Sequence, residues 1–137
     1  MKKIIIIAIV GIAACLAFIL PSTNNNQGIT FTSSSFDESL EEAKDNNKYV
    51  FLDISTSWCG YCKKMKSKTY TSKEVGDFMN GKYISISIDA EKGNGPEIAK
   101  KYKVKAYPTQ VILDGEGKVV AKNVGYLNPK GLLKFVQ

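Results

Sequence analysis

Beyond residue 27 the apolar positions of this chain follow two rhythms, one helical and one of strands. Ser35-Phe36-Asp37-Glu38 has the form of a capping box, and Phe36, Leu40 and Ala43 follow at helical spacing. Tyr49 to Ile54 is a short apolar run bounded by polar residues, the pattern of a buried strand. A helix is expected to start near Cys59 and to carry Lys63, Lys64, Met65 and Lys66. Thr71-Ser72-Lys73-Glu74 predicts another, with Val75, Phe78 and Met79 apolar and Asn80-Gly81 as its stop. From Tyr83 to Asp89 the chain alternates, with Ile84, Ile86 and Ile88 on one face and Ser85 and Ser87 on the other. Gly95-Pro96 predicts a helix with proline at its first position and Ile98, Ala99 and Tyr102 as its stripe. Two strands, Thr109 to Leu113 and Lys118 to Lys122, flank the turn Asp114-Gly115-Glu116-Gly117. Asn128-Pro129 then caps a short helix with Leu132, Leu133 and Val136. This order predicts an α/β layer arrangement, a parallel part followed by an antiparallel hairpin.

The start of the chain obeys neither rhythm. Lys2 and Lys3 precede an unbroken apolar run from Ile4 to Leu20, closed by Pro21 and the polar stretch Ser22 to Gln27. At helical rise that run spans roughly 26 Å, the short end for crossing a bilayer. It has no polar face, which argues against a buried helix of a soluble domain. Residues 1–27 are therefore read as a signal anchor or signal peptide plus polar linker, and 28–137 as one domain. The lysines stay on the cytoplasmic side, so the domain faces outward. Ile12-Ala13-Ala14-Cys15 resembles a lipoprotein signal, but the apolar run continues past Cys15, and no small-x-small cleavage site lies just before Ser22. An uncleaved anchor is favoured over a lipid anchor at Cys15, and that over release; Cys15 then serves as a small apolar membrane residue.

Composition narrows the chemistry. The 137 residues suit a single domain and are 44% hydrophobic, ordinary for a globular fold. Histidine is absent, which excludes Ser-His and Cys-His catalytic pairs, His-containing metal sites and c-type haem attachment. The formal net charge is +6, but every basic residue is lysine. Bidentate readout of bases and phosphates favours arginine, so no nucleic-acid partner is expected. The charge fits a solvated surface with weak attraction to anionic membrane.

Cys59-Gly60-Tyr61-Cys62 follows the predicted buried strand and opens the predicted helix. Cysteines three apart on a helix share one face, and their sulfurs can close a small disulfide ring. At a helix start, free backbone N–H groups and the macrodipole favour a thiolate. Between Asp53 and Glu74 the chain carries Lys63, Lys64, Lys66 and Lys68 but no acid, which adds to the effect. Cys59 is thus the candidate exposed nucleophile and Cys62 the resolving thiol. A zinc site would need four ligands, and neither histidine nor a second cysteine pair exists, leaving only a subunit-bridging metal. An inert structural disulfide is disfavoured because so short a ring constrains the unfolded chain little. No metal and no dissociable cofactor are expected.

Trp58-Cys59-Gly60-Tyr61-Cys62-Lys63, followed later by Tyr107-Pro108-Thr109, resembles the thioredoxin superfamily over about residues 30–137. The resemblance implies a thioredoxin fold, a central mixed β-sheet flanked by helices. Asp53 falls six residues before Cys59, where the family keeps a buried carboxylate. There it is implied to shuttle a proton to or from Cys62, a role that suits a buried acid of raised pKa. Pro108 matches the family's cis-proline beside the cysteines, with Tyr107 preceding it. Gly125 matches a glycine that keeps the substrate groove open, and Trp58 becomes a partly exposed lid. With Gly60 and Tyr61 these complete the implied substrate-binding set.

Departures matter too. The lysine that faces the carboxylate in thioredoxin falls here at Ser85, and Gly60-Tyr61 replaces Gly-Pro. The same Cys-Gly-Tyr-Cys tetrad occurs in periplasmic disulfide isomerases, which carry a dimerisation domain with no counterpart here. The stretch Lys63-Lys64-Met65 through Thr69 to Val75 resembles the outward-facing thioredoxin-like domains of transmembrane thiol:disulfide interchange proteins, a mainly reducing group. The expectation is a membrane-tethered, monomeric oxidoreductase that reduces disulfide-bearing proteins outside the cytoplasm with electrons from a membrane or soluble thiol donor. The alternatives are an oxidase or isomerase of the same fold, and a non-catalytic peptide-binding adaptor.

Overall fold

The computed structural model describes residues 28–137, so the expectations for residues 1–27, Cys15 included, lie outside the described residues. Among the described residues no helix is long and apolar enough to cross a membrane. In chain order the elements are α1 (Phe36–Asp45), β1 (Tyr49–Ser55), α2 (Gly60–Lys64), α3 (Lys73–Lys82), β2 (Tyr83–Asp89), α4 (Gly95–Lys101), β3 (Thr109–Leu113), β4 (Val119–Val124) and α5 (Pro129–Val136). A π-helical turn over Met65–Thr69 extends α2.

The sheet order is β2-β1-β3-β4, with β1 and β2 parallel and the other two pairings antiparallel. Strand alternation divides the core in two. Val50, Leu52 and Ile54 of β1 join Ile84, Ile86, Ile88, Val111 and Leu113 under α1 and α4. Phe51 points to the other side, with Ile112 and with Met65, Val75, Met79 and Leu132 of the remaining helical layer. By the same alternation Asp53 shares the face of Phe51, as do Ser87 of β2 and Gln110 of β3. Asp53 lies opposite both Ser87 and Gln110, and Gln110 lies opposite Asn123 of β4. A polar row thus crosses this sheet face beside Phe51 and Ile112.

The capping box at Ser35 and Glu38 forms with both reciprocal bonds. Asn128 caps α5 by accepting from the Gly131 amide at 2.8 Å. The Asp114 carboxylate closes the hairpin turn by accepting from the amides of Glu116 and Lys118.

Several boundaries differ from expectation, each for a local reason. The capping box at Thr71 does not form; the Thr71 hydroxyl donates to the Ser67 carbonyl at 2.9 Å, and Ser72 becomes the N-cap of α3 without a side-chain bond. Asn80-Gly81 does not stop α3, which runs to Lys82 and straight into β2. The Asn80 side chain is occupied elsewhere, donating to the Gly28 carbonyl and accepting from the Thr30 amide, both at 2.9 Å. Pro96 sits at the second position of α4, since Gly95 opens it. The segment before α1 adds a parallel bridge between Phe31 and Ser85, on the open edge of β2.

Candidate active site

β1 ends at Ser55, and the short loop through Thr56 and Trp58 delivers Cys59 to the N-cap of α2. Its extended backbone lets the Cys59 sulfur accept the Cys62 amide N–H at 3.2 Å. A cysteine as N-cap occupies the place usually taken by a serine or aspartate oxygen, so a thiolate there takes the role of a capping anion. Cys59 and Cys62 are joined as a disulfide, with Cα atoms 5.3 Å apart. In this oxidised form Cys59 retains 6% of its surface and Cys62 2%, so the open exposure expected of Cys59 narrows to a small window. No acid lies in the first turn of α2, and Lys63 and Lys64 follow.

Two aromatic pairs stand beside this pair in the structure. Trp58 is 64% exposed, packs edge-on against Tyr107 at 6.0 Å, and donates its indole N–H to the Glu91 carboxylate at 3.1 Å. Tyr61 is equally exposed and lies 6.2 Å from the Tyr126 ring, over which Lys64 Nζ sits at 4.7 Å. The Tyr107–Pro108 peptide is cis, and Pro108 is buried at the entry to β3. Its carbonyl accepts the Gly125 amide at 2.8 Å. Gly125 has φ of +106°, and a side chain there would meet open space, so backbone conformation and not crowding calls for glycine. At Gly60 neither consideration applies, as it is helical, exposed and uncrowded.

Asp53 is 1% exposed. Its Oδ1 accepts from the Tyr70 hydroxyl and its Oδ2 from the Ser87 hydroxyl, each at 2.8 Å. Burial raises the pKa of its carboxyl; the two hydroxyl donors and, more weakly, the Lys66 ammonium pull it back down. Burial and the neighbouring Asp53 push the Tyr70 phenol far above its ordinary value, so it stays protonated and donates. Gln110, fully buried, accepts from Asn123 at 2.7 Å and points its amide N–H₂ at the Met65 sulfur at 3.2 Å. Ser85 does not take the place of a partner for the acid. Strand register sets it opposite Phe51, and its buried hydroxyl has no partner among the described residues.

Sequence reasoning missed Tyr70, Ser87, Glu91 and Tyr126. Ser87 was legible from the parallel register, because Asp53 and Ser87 are each two residues before their strand ends. Tyr70 gave no such signal, since its position depends on the π-helical turn. There the Tyr70 amide reaches back five residues to the Met65 carbonyl at 2.9 Å. Among the described residues no group of three or more His, Cys, Asp or Glu side chains forms a metal cluster.

A model of the thioredoxin-like domain matches residues 36–137 of this sequence. The chain belongs to the thioredoxin-like family. It is similar to an H-type thioredoxin of Fagopyrum esculentum, 33% identical over 69% of this chain and 75% of that one. The solution structure of a candidate disulphide-isomerase from Bacteroides thetaiotaomicron superposes with a TM-score of 0.69 at 37% identity, over 80% of this chain and 90% of the other. The thiol:disulfide interchange protein DsbD of Campylobacter jejuni is 26% identical over 76% of this chain, which spans only 18% of DsbD's own length. The chain is thus a thioredoxin-fold oxidoreductase with its CxxC pair at disulfide distance.

For a thioredoxin-like domain this geometry supports one chemistry. A thiolate at a helix start exchanges with a disulfide, and a second thiol three residues on closes the ring again.

Proposed function

We propose that this thioredoxin-like domain reduces disulfides of proteins outside the cytoplasm, with Cys59 as nucleophile, Cys62 as resolving thiol and Asp53 as proton acceptor. The Cys59 thiolate attacks a substrate disulfide and expels one substrate thiolate. Asp53 takes the Cys62 proton, the Cys62 sulfur attacks Cys59 Sγ, and the Cys59–substrate bond breaks. The substrate gains two electrons, and a thiol donor later returns them to the Cys59–Cys62 disulfide. Trp58, Gly60, Tyr61, Tyr107, Pro108 and Gly125 form the substrate-binding surface. The segment 1–27 tethers the domain to the membrane, and the domain acts as a monomer.

The observation that carries the oxidoreductase reading is Cys59 as N-cap, its sulfur accepting the Cys62 amide. The reducing direction rests on the likeness of residues 63–75 to outward-facing interchange domains, and a curated DsbD relative supports it. A second reading, an oxidase or isomerase, has its own support in the four lysines from Lys63 to Lys68 and in the Bacteroides structure. The equilibrium reduction potential separates the two. A value near roughly −270 mV fits the reductant, and one of about −180 to −120 mV overturns it in favour of the second reading.

A further inference from the structure

Tyr70 and Ser87 come from different parts of the fold, yet each gives its hydroxyl to one oxygen of the same buried carboxylate. Tyr70 closes the π-helical turn and Ser87 lies on β2 beside Asp53. With one donor on each oxygen, the plane of the carboxylate is fixed and each oxygen keeps lone-pair capacity for an incoming proton. The two donors also line a surface pocket of about 290 Å³, shared with Ile29, Phe31, Lys66 and Thr71. They therefore stand where Asp53, itself shut off from solvent, comes nearest to water along this side. Tyr70 also approaches the helical segment that carries Cys62. Its hydroxyl lies 3.9 Å from the sulfur of Met65, which is three residues after Cys62 on the same buried helix face.

We propose that Tyr70 and Ser87 are positioning residues for the proton transfer at Asp53, holding its carboxylate ready to take the proton of Cys62. This rests on the acid–base role of Asp53 proposed above. In the step concerned, the Cys62 S–H bond breaks and its proton passes to Asp53. The Cys62 sulfur forms the bond to Cys59 Sγ, and the substrate sulfur leaves with the electron pair of the Cys59–substrate bond. The hydroxyls keep their own protons throughout. They donate to the ionised carboxylate, favouring the form able to accept. The charged group that acts on the carboxylate besides these donors is Lys66 from the π-helical turn, and β3 sets the neutral Gln110 opposite it.

The test is the pH profile for reduction of insulin disulfides by the full chain, from pH 5 to 9.5, with Asp53→Asn, Tyr70→Phe and Ser87→Ala. Losing one donor leaves burial opposed only by the other hydroxyl and Lys66, so the midpoint of the Asp53-dependent limb moves up, by about one to two pH units per donor. Just below the wild-type midpoint that is a rate loss of about tenfold, recovered at high pH, which a merely structural role does not produce. Wild-type midpoints in both hydroxyl variants, alongside an altered profile for Asp53→Asn, overturn this inference alone. An unaltered profile for Asp53→Asn overturns the acid–base reading itself. Should Tyr70→Phe fail to fold, Ser87→Ala, at an exposed strand position, decides the matter by the same shift.

Discussion

The backbone amide of Gly125 donates to the carbonyl of Pro108 at 2.8 Å, tying the residue just after β4 to the cis-proline that opens β3. That bond closes the far end of the β3–β4 pair, and it depends on a φ of +106° that L side chains rarely adopt. Gly125→Ala is therefore expected to cost about 1–3 kcal/mol, although nothing crowds the site. Urea unfolding measures the cost. A loss below a few tenths of a kcal/mol would show that the loop relaxes freely.

Asp53 makes a stability prediction with a definite sign. Its carboxyl pKa is raised in the folded state, so between the ordinary carboxylate value and the folded one the native protein binds more protons than the unfolded chain. Stability contributed by this group is full below the ordinary value and is lost as pH rises through the folded pKa. Asp53→Asn is expected to raise the urea midpoint at neutral pH and to lose that advantage near pH 4. A variant equally stabilised at both pH values would contradict the assignment.

The two cysteines are predicted to fail differently. Cys62→Ser keeps the nucleophile and accumulates a mixed disulfide with substrate, visible by mass spectrometry of the unreduced protein. Cys59→Ser forms none and loses turnover by about a thousandfold or more, with little change in fold. Equal trapping by both variants would assign the nucleophile wrongly.

Trp58 is the single tryptophan of the chain, so its fluorescence reports directly on the Glu91 contact. Because that bond is exposed, Glu91→Ala is expected to change stability by less than about 0.5 kcal/mol. It frees the indole, so the anisotropy of Trp58 falls and KM for an unfolded protein substrate rises while kcat stays near its original value. Unchanged anisotropy would mean that packing on Tyr107 alone holds the ring.

How much of this was legible beforehand varied with how local each signal was. The CxxC pair, the strand before it and the cis-proline motif sit in short contiguous stretches, and the structure brings Cys59, Cys62, Trp58, Tyr61 and Tyr107 into one region as a linear reading implies. The surroundings of Asp53 were harder. The sequence showed only that the family's lysine position falls at Ser85, whereas the parallel register places Ser87 opposite the acid. Tyr70 fell between two predicted helices and was given no role, because a π-helical turn changes which residues face inward without altering composition. Gln110 read only as a strand position and Asn123 fell one residue past the expected strand Lys118 to Lys122, and their pairing across the sheet needs tertiary structure to be seen.

Tyr70 is held at both ends. Its carbonyl accepts the Ile29 amide at 2.8 Å, next to the close approach of Gly28 to Gly76, while its hydroxyl grips Asp53. A force applied to the chain ahead of Gly28 is shared between the Asn80 side chain, which holds the Gly28 carbonyl, and the backbone of the residue whose side chain steadies the acid. Mechanical load on the leading end thus reaches the residue that steadies the acid, and a truncation that removes Ile29 is expected to loosen the acid site without touching any residue of the redox motif.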